Sequence, residues 1–275
     1  MLYPLRLHPI SRKLPLKPPM KISFRWTSTN PSTLLRRCPS CQSPISLPSS
    51  PCPKCSTLIP LPNGLSLHSL LFLSQPILST SYRSSQTSDE KPQEIVIEEP
   101  DLKQENIFDL PSELSSLPAR GFILDVRDIR NRALERQKQL HPDKHPSVTG
   151  SLSIDLSGKV NKAYEILSDP LKRVEYILSV HHPDLATAET DQLTDPGLLS
   201  EIMEARESLH EATTAEQVEK IREENHLKVT TTIRSIEETL SSDPPDLGAA
   251  KILAVQLKYW QGLENAAKEW ESPRF

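Results

Sequence analysis

The residues Val126-Arg-Asp-Ile-Arg-Asn-Arg-Ala-Leu-Glu-Arg-Gln-Lys-Gln-Leu-His-Pro-Asp143 decide how this chain is read. Val126, Ile129, Ala133 and Leu140 recur on one face at about 100° per residue. That spacing predicts an amphipathic helix of about four turns, and Asp125 in front of it is a natural N-cap. The other faces carry Arg127, Arg130, Arg132, Arg136 and Lys138, offset only by Asp128 and Glu135. The helix stops at His141-Pro142-Asp143, because proline disfavours the α region in the residue before it.

Downstream, Val160, Ala163, Tyr164 and Leu167 mark a second helix that ends at Ser168-Asp169-Pro170. There Asp169 can cap and Pro170 can open a third helix. Three more helical periods follow, broken at Thr213-Thr214 and at Ser241-Ser-Asp-Pro-Pro245, and predict a three-helix bundle over residues 185–275. In the first of these, Leu198, Ile202, Ala205 and Leu209 form the core stripe, and Leu199 and Met203 fall about 100° and 140° from Leu198. Both stand beside Glu204 and Glu207, an apolar flank bordered by acid. In the last helix Leu253, Leu257, Trp260 and Ala267 form the stripe and Tyr259 is lateral. Lateral apolar residues on a small bundle often mark a partner surface.

Upstream the polymer changes character. Residues 1–88 hold ten Lys/Arg and no acidic residue, net +10, leaving -14 for the rest of a chain whose sum is -4. They also hold 14 of the 26 prolines, a composition poor at burying apolar area against chain entropy. Residues 1–37, acid-free with Arg6, Arg12, Lys13, Lys17, Lys21, Arg25, Arg36 and Arg37, have the composition of a mitochondrial presequence. Residues 59–104 read as a mostly disordered linker, in which Leu65 to Leu78 is a linker or a short packed piece. Seven glycines in the chain leave no glycine-rich phosphate loop, and no run approaches the roughly 20 apolar residues of a membrane span.

Cys38-Pro-Ser-Cys41 and, ten residues on, Cys52-Pro-Lys-Cys55 are two knuckles whose thiolates can meet one tetrahedral Zn²⁺. Residues 38–58 are therefore expected to be a small module folded by a structural metal. Two disulfides or four free thiols are the competing readings, and stable disulfides would be unusual in an organelle matrix. Such a knuckle also serves nucleic-acid ribbons, but no aromatic residue lies between Cys38 and Cys55 on which a base could stack. Nucleic acid is not an expected partner.

The basic helix, the loop Leu140-His141-Pro142-Asp143-Lys144 and the run Asn161-Lys-Ala-Tyr164-Glu-Ile-Leu-Ser168-Asp169-Pro170 resemble the J-domain of co-chaperones that activate DnaK-type ATPase chaperones. A second His182-Pro183-Asp184 lacks that setting and reads as a helix-ending turn. With Pro170-Leu-Lys-Arg173-Val-Glu175-Tyr176 and Asp195-Pro-Gly-Leu198-Leu199-Ser-Glu-Ile-Met203-Glu204-Ala-Arg206-Glu207, the chain resembles the HscB family, the mitochondrial J-type co-chaperones of iron-sulfur cluster biogenesis. The resemblance spans roughly residues 105–270, and the cysteine knuckle is similar to the zinc-binding extension of some eukaryotic members.

It implies an all-α fold, with a J-domain (an antiparallel helical hairpin) over 105–180 followed by the bundle. It implies no enzymatic activity and no bound nucleotide, but activation of the chaperone's ATPase. His141, Pro142, Asp143 and Lys144 with Arg127, Arg130 and Lys138 would meet the chaperone. Leu199, Met203, Glu204, Glu207 and Tyr259 would meet an IscU-type scaffold, in the mitochondrial matrix. Ser200 departs from a position that is often apolar in the family. A general J-protein whose bundle holds clients or forms a homo-oligomer is the alternative.

Overall fold

The computed structural model describes residues 33–84, 94–104, 106–144, 150–182, 184 and 195–270. The presequence expected over 1–37 lies outside them except at its last residues. Those residues belong to folded structure: β1 (Leu34–Arg37) pairs antiparallel with β2 (Pro44–Ser46), and β3 (Ile95–Val96) adds in parallel on its other edge. Leu34 and Leu47 share a small core with Leu78, Ile97, Leu102, Ile107 and Phe108, while Ile45 packs with Cys38, Cys52 and Ile59. Arg36, counted above among the presequence cations, is only 3% exposed. Its guanidinium donates to the Ser49 carbonyl at 2.7 Å and to the Pro60 carbonyl, and burial lowers its pKa to about 10.

The linker expected over 59–104 is corrected as well. Leu67–Phe72 forms α1, started by Ser66, whose Oγ accepts from the Ser69 amide at 2.9 Å, and stopped by Leu73 at φ 53°. Six residues cannot sustain a helix alone. Leu70, Leu71 and Phe72, with Leu58 and Leu61, are buried against Ile129, Ala133 and Leu140 of α5 (Val126–Leu140) and Leu156, Val160 and Leu167 of α6 (Gly150–Ser168). Five buried leucines and phenylalanines at about 1.5–3 kcal/mol each explain why this proline-rich stretch orders. The hairpin expected within residues 105–180 thus has its core completed by residues from 58 onward. Between α1 and α5 the described residues form the short α-helices α2 (Thr80–Ser84), α3 (Glu99–Leu102) and α4 (Leu110–Ser115) and a 3-10 turn at Pro118–Gly121.

The expected caps are in place. Asp125 accepts from the Arg127 amide at 2.8 Å, and Asp169 accepts from the Leu171 amide at 2.8 Å, with Pro170 opening α7 (Pro170–His181). Within α5 the buried stripe runs Ile129, Ala133, Arg136 and Leu140, whereas Val126 sits in the first turn and is half exposed. Arg136 is thus withdrawn from the expected basic face.

The bundle consists of α8 (Pro196–Glu211), α9 (Ala215–Ser241) and α10 (Leu247–Lys268). Thr214 and Gln217 form a reciprocal capping box at the break between α8 and α9. Ile202 and Leu209 pack with Val218, Trp260, Leu263 and Ala267 at one end. At the other end Ile236, Leu240, Ala250, Ala254 and Leu257 share one core with Val174, Ile177 and Leu178 of α7 and with Leu114 and Phe122. Hairpin and bundle are joined by buried apolar contact, and α7 belongs to both.

Candidate partner surfaces and metal centre

The four thiols converge because both knuckles adopt one local structure. The Cys38 amide donates to the Ser43 carbonyl at 3.0 Å and the Cys52 amide to the Thr57 carbonyl at 2.9 Å; Gln42 and Ser56 take matching left-handed φ values of 56° and 58°. Cys38 Sγ lies 3.5 Å from Cys55 Sγ, Cys41 Sγ lies 3.8 Å from Cys52 Sγ, and all four fall within 4.8 Å of one another. A tetrahedron of sulfurs about 2.3 Å from a zinc ion has edges of about 3.8 Å, so the set fits that ion.

Taken as thiols the four differ. Burial pushes Cys38 up to about 11 against the amides of Cys41 and Ser40. At Cys52 burial also opposes ionisation, but the amides of Cys55 and Lys54 outweigh it and the value falls to about 6. The Ser43 hydroxyl lowers Cys41, lying 2.8 Å from its sulfur.

On α5, Arg127, Arg130 and Lys138 are exposed, as is Lys144 beyond the tip. Arg132 is instead engaged: it donates to both Asp128 carboxylate oxygens at 3.0 and 3.1 Å and lies 5.0 Å over the Phe72 ring. Pro142–Lys144 forms a single 3-10 turn, and His141 ends the helix with extended φ and ψ of -60° and 134°. His141 Nδ1 accepts from the Asp143 amide at 3.3 Å. Its side chain is half exposed, and the Asp143 carboxylate, 3.6 Å from Nδ1, is almost fully so. His182 and Asp184 stand 3.7 Å apart in the same way, so the geometry of the tripeptide does not separate the two copies. Their settings do, since His182 closes α7, whose Val174, Ile177 and Leu178 are committed to the shared core.

On the bundle, Leu199 is 41% and Met203 62% exposed, and Glu204 and Glu207 are exposed beside them. Tyr259 is partly buried, packed at the edge of the core that holds Trp260. Ser200 donates to Glu204 Oε1 at 3.2 Å and so fixes the acid next to Met203. The sequence reading did not pick out Ile252, 62% exposed on α10. Seven residues before Tyr259, it shares that residue's helix face; the signal was an apolar residue outside the Leu253 stripe. No helix among the described residues is long and apolar enough to cross a membrane.

An antiparallel hairpin with His-Pro-Asp at its turn, exposed cations along the helix that leads to the turn and a helical bundle fused behind it define a J-type co-chaperone. Residues 194–268 match the family model described as HSCB C-terminal oligomerisation domain. The chain is 30% identical over 147 residues to the mitochondrial J-type co-chaperone JAC1 of Saccharomyces cerevisiae, covering 51% of this chain and 77% of that protein. It belongs to the HscB family. Its fold is similar to the crystal structure of human co-chaperone protein HscB, with a TM-score of 0.56, 22% identity, and coverage of 84% of this chain and 96% of that one.

Proposed function

We propose that this chain accelerates ATP hydrolysis by a DnaK-type chaperone and presents to it an IscU-type iron-sulfur scaffold, in the mitochondrial matrix. The observation that carries the reading is His141, exposed at the end of a helix whose exposed cations, Arg127, Arg130 and Lys138, run along its length, with Lys144 just past the tip. Such a cluster steers association with an acidic surface and makes it salt-sensitive. The chain supplies no group to the phosphoryl chemistry. It favours the hydrolysing state of its partner by binding that state better, which is a coupling free energy between proteins.

The scaffold docks on Leu199, Met203 and Tyr259, extended by Ile252, with Glu204 and Glu207 as the polar rim. Exposed apolar side chains ringed by charge are the usual anatomy of such an interface. The four cysteines hold zinc in a closed tetrathiolate, which leaves no position for a reactive water and makes the ion structural. The acid-free amino end supports import into the matrix.

Single-turnover ATPase of the chaperone, measured with His141→Gln beside the parent chain, tests the first half: stimulation should fall to background, and unchanged stimulation defeats it. Titration of scaffold against Leu199→Ala/Met203→Ala/Tyr259→Ala tests the second half, which equal affinity would sink. A second reading, self-association through the bundle, draws on Leu227, 70% exposed on α9. Sedimentation equilibrium of the parent chain and Leu227→Glu tests it.

A further inference from the structure

Arg136 is charged, lies in a helix otherwise edged with free cations, and is only 2% exposed. Its Nη1 donates to the Ser50 carbonyl at 2.6 Å and to Gln139 Oε1 at 3.2 Å, while Nε and Nη2 find no hydrogen-bond partner among the described residues. Burial lowers its pKa to about 10. A buried guanidinium of this kind is tolerated only while its remaining acceptors stay in place.

One of those two acceptors, the Ser50 carbonyl, is set by the cysteine module. Ser50 is two residues before Cys52, and its hydroxyl ties together the two ends of the second knuckle, donating to the Ile59 carbonyl at 2.8 Å and accepting from the Ile59 amide at 3.2 Å. The neighbouring Ser49 carbonyl is held by Arg36 from β1 at 2.7 Å. Two buried arginines, one from the module and one from the hairpin, thus grip consecutive carbonyls. Just past the second knuckle, Leu58 and Leu61 enter the core of Ile129, Ala133 and Leu140. Arg136 is five residues before His141, on the last full turn of α5.

We infer that Arg136 is a positioning residue that couples metal binding at Cys38, Cys41, Cys52 and Cys55 to the order of the last turn of α5 and the His141 tip. When the cysteines are gathered by the metal, the Ser50 carbonyl is fixed and Arg136 Nη1 keeps it as an acceptor. When the metal leaves, the loop relaxes, Arg136 loses the Ser50 carbonyl and keeps only Gln139, and the turn carrying the tip frays. Coupling of this kind is reciprocal, so disturbing Arg136 must weaken metal binding although it is not a ligand and lies 86 residues from Ser50. The inference rests on the reading of the cysteines as a zinc site, but not on any partner protein.

The experiment uses the full chain and zinc itself. Zinc affinity, measured by competition with a chromophoric chelator, should fall about fivefold or more for Arg136→Ala, the lower end of common coupling strengths. Arg136→Lys, which keeps one donor, should recover part of the loss. Ile177→Ala, which opens a cavity in the other core, should leave zinc affinity unchanged and so separates coupling from general loss of stability. A measurement without any variant accompanies these: amide hydrogen exchange of the parent chain with and without zinc should accelerate across 136–141 on metal removal and stay constant in α9. Equal zinc affinity in the parent chain and both Arg136 variants, or exchange at 136–141 indifferent to zinc, overturns the coupling. A chain that binds no zinc overturns it together with the metal assignment.

Discussion

Ser66 donates its hydroxyl to Glu113 Oε1 at 2.5 Å, and Ser69 donates to the same oxygen at 2.5 Å, so one buried carboxyl pins the start of α1 to α4. Beside it His68 is fully buried, its Nε2 donating to the Gly121 carbonyl at 2.9 Å and its ring 6.0 Å from that of Tyr176. Desolvation raises the Glu113 pKa, against the two serine hydroxyls, and desolvation lowers that of His68 to about 4.

The two groups pull stability in opposite directions as pH falls. His68 takes up its proton only on unfolding, so its contribution is complete above its ordinary value of 6.5 and is lost on the way down to about 4. At about 1.4 kcal/mol per unit the loss is about 3 kcal/mol. Glu113, whose folded value is raised, contributes stability below the ordinary carboxyl range that is lost as pH rises through the raised value. Urea denaturation in steps from pH 8 to 4.5 should show the parent chain weakening, Glu113→Gln weakening more steeply, and His68→Gln weakening least. Parallel curves for all three chains would contradict this.

Gly121 holds φ at 84°, and a Cβ there would come within 2.6 Å of His68 Nε2. Left-handed strain and a buried clash act together at this position. Gly121→Ala should lower stability by about 2 kcal/mol or more, measured by thermal unfolding, whereas Gly158→Ala, where nothing lies near a new Cβ, should be neutral or mildly stabilising.

Removal of zinc by chelation should unfold residues 33–57 before the bundle, because their apolar burial among the described residues is limited to the small cluster of Ile45 with Cys38, Cys52 and Ile59 and to Leu34, Leu35 and Leu47. Two calorimetric transitions replacing one, with the upper one unmoved, is the expected record. Cys52→Ser should give the same record without chelator.

Arg127→Ala/Arg130→Ala should slow association with the chaperone and flatten its dependence on salt, leaving the melting temperature within about 1 °C of the parent because both side chains are exposed. Stopped-flow binding at several ionic strengths checks it. Arg132→Ala should behave differently, costing stability through Asp128 and Phe72.

Ile252→Ala should weaken scaffold binding by about tenfold if it extends the Tyr259 face, since buried interface anchors are commonly worth 1–2 kcal/mol. Isothermal titration reads the affinity, and a circular-dichroism melt confirms an intact fold.

What the sequence disclosed and what it concealed divide along sequence distance. Asp125, Asp169 and the Thr213-Thr214 break follow local rules of capping and periodicity, and the helices are where those rules put them. The cysteines were legible because two identical turns impose one geometry on each pair. Leu58, Leu61 and α1 were not, since their burial depends on α5 and α6, and their proline and serine neighbours imitate a linker. Arg36 and Arg136 misled for a related reason: periodicity reports which face a side chain lies on, but not that a distant carbonyl waits there to receive a guanidinium. Val126 leaves the predicted stripe because it stands in the first turn of α5, where it is half exposed.

The closure of the hairpin core by residues 58–72 also sets an order of events during folding. A polypeptide emerging amino end first presents Leu58, Leu61, Leu70, Leu71 and Phe72 well before α6 exists to cover them, and the Leu67 amide meets the Tyr176 hydroxyl only across 109 residues. Such non-local pairings slow folding relative to a hairpin closed by its own neighbours. They also leave an apolar segment exposed to aggregation in the interval. The nascent chain therefore has its greatest need of a holding chaperone between the appearance of Phe72 and that of Leu167, and a truncation ending before α6 should be the least soluble fragment of the protein.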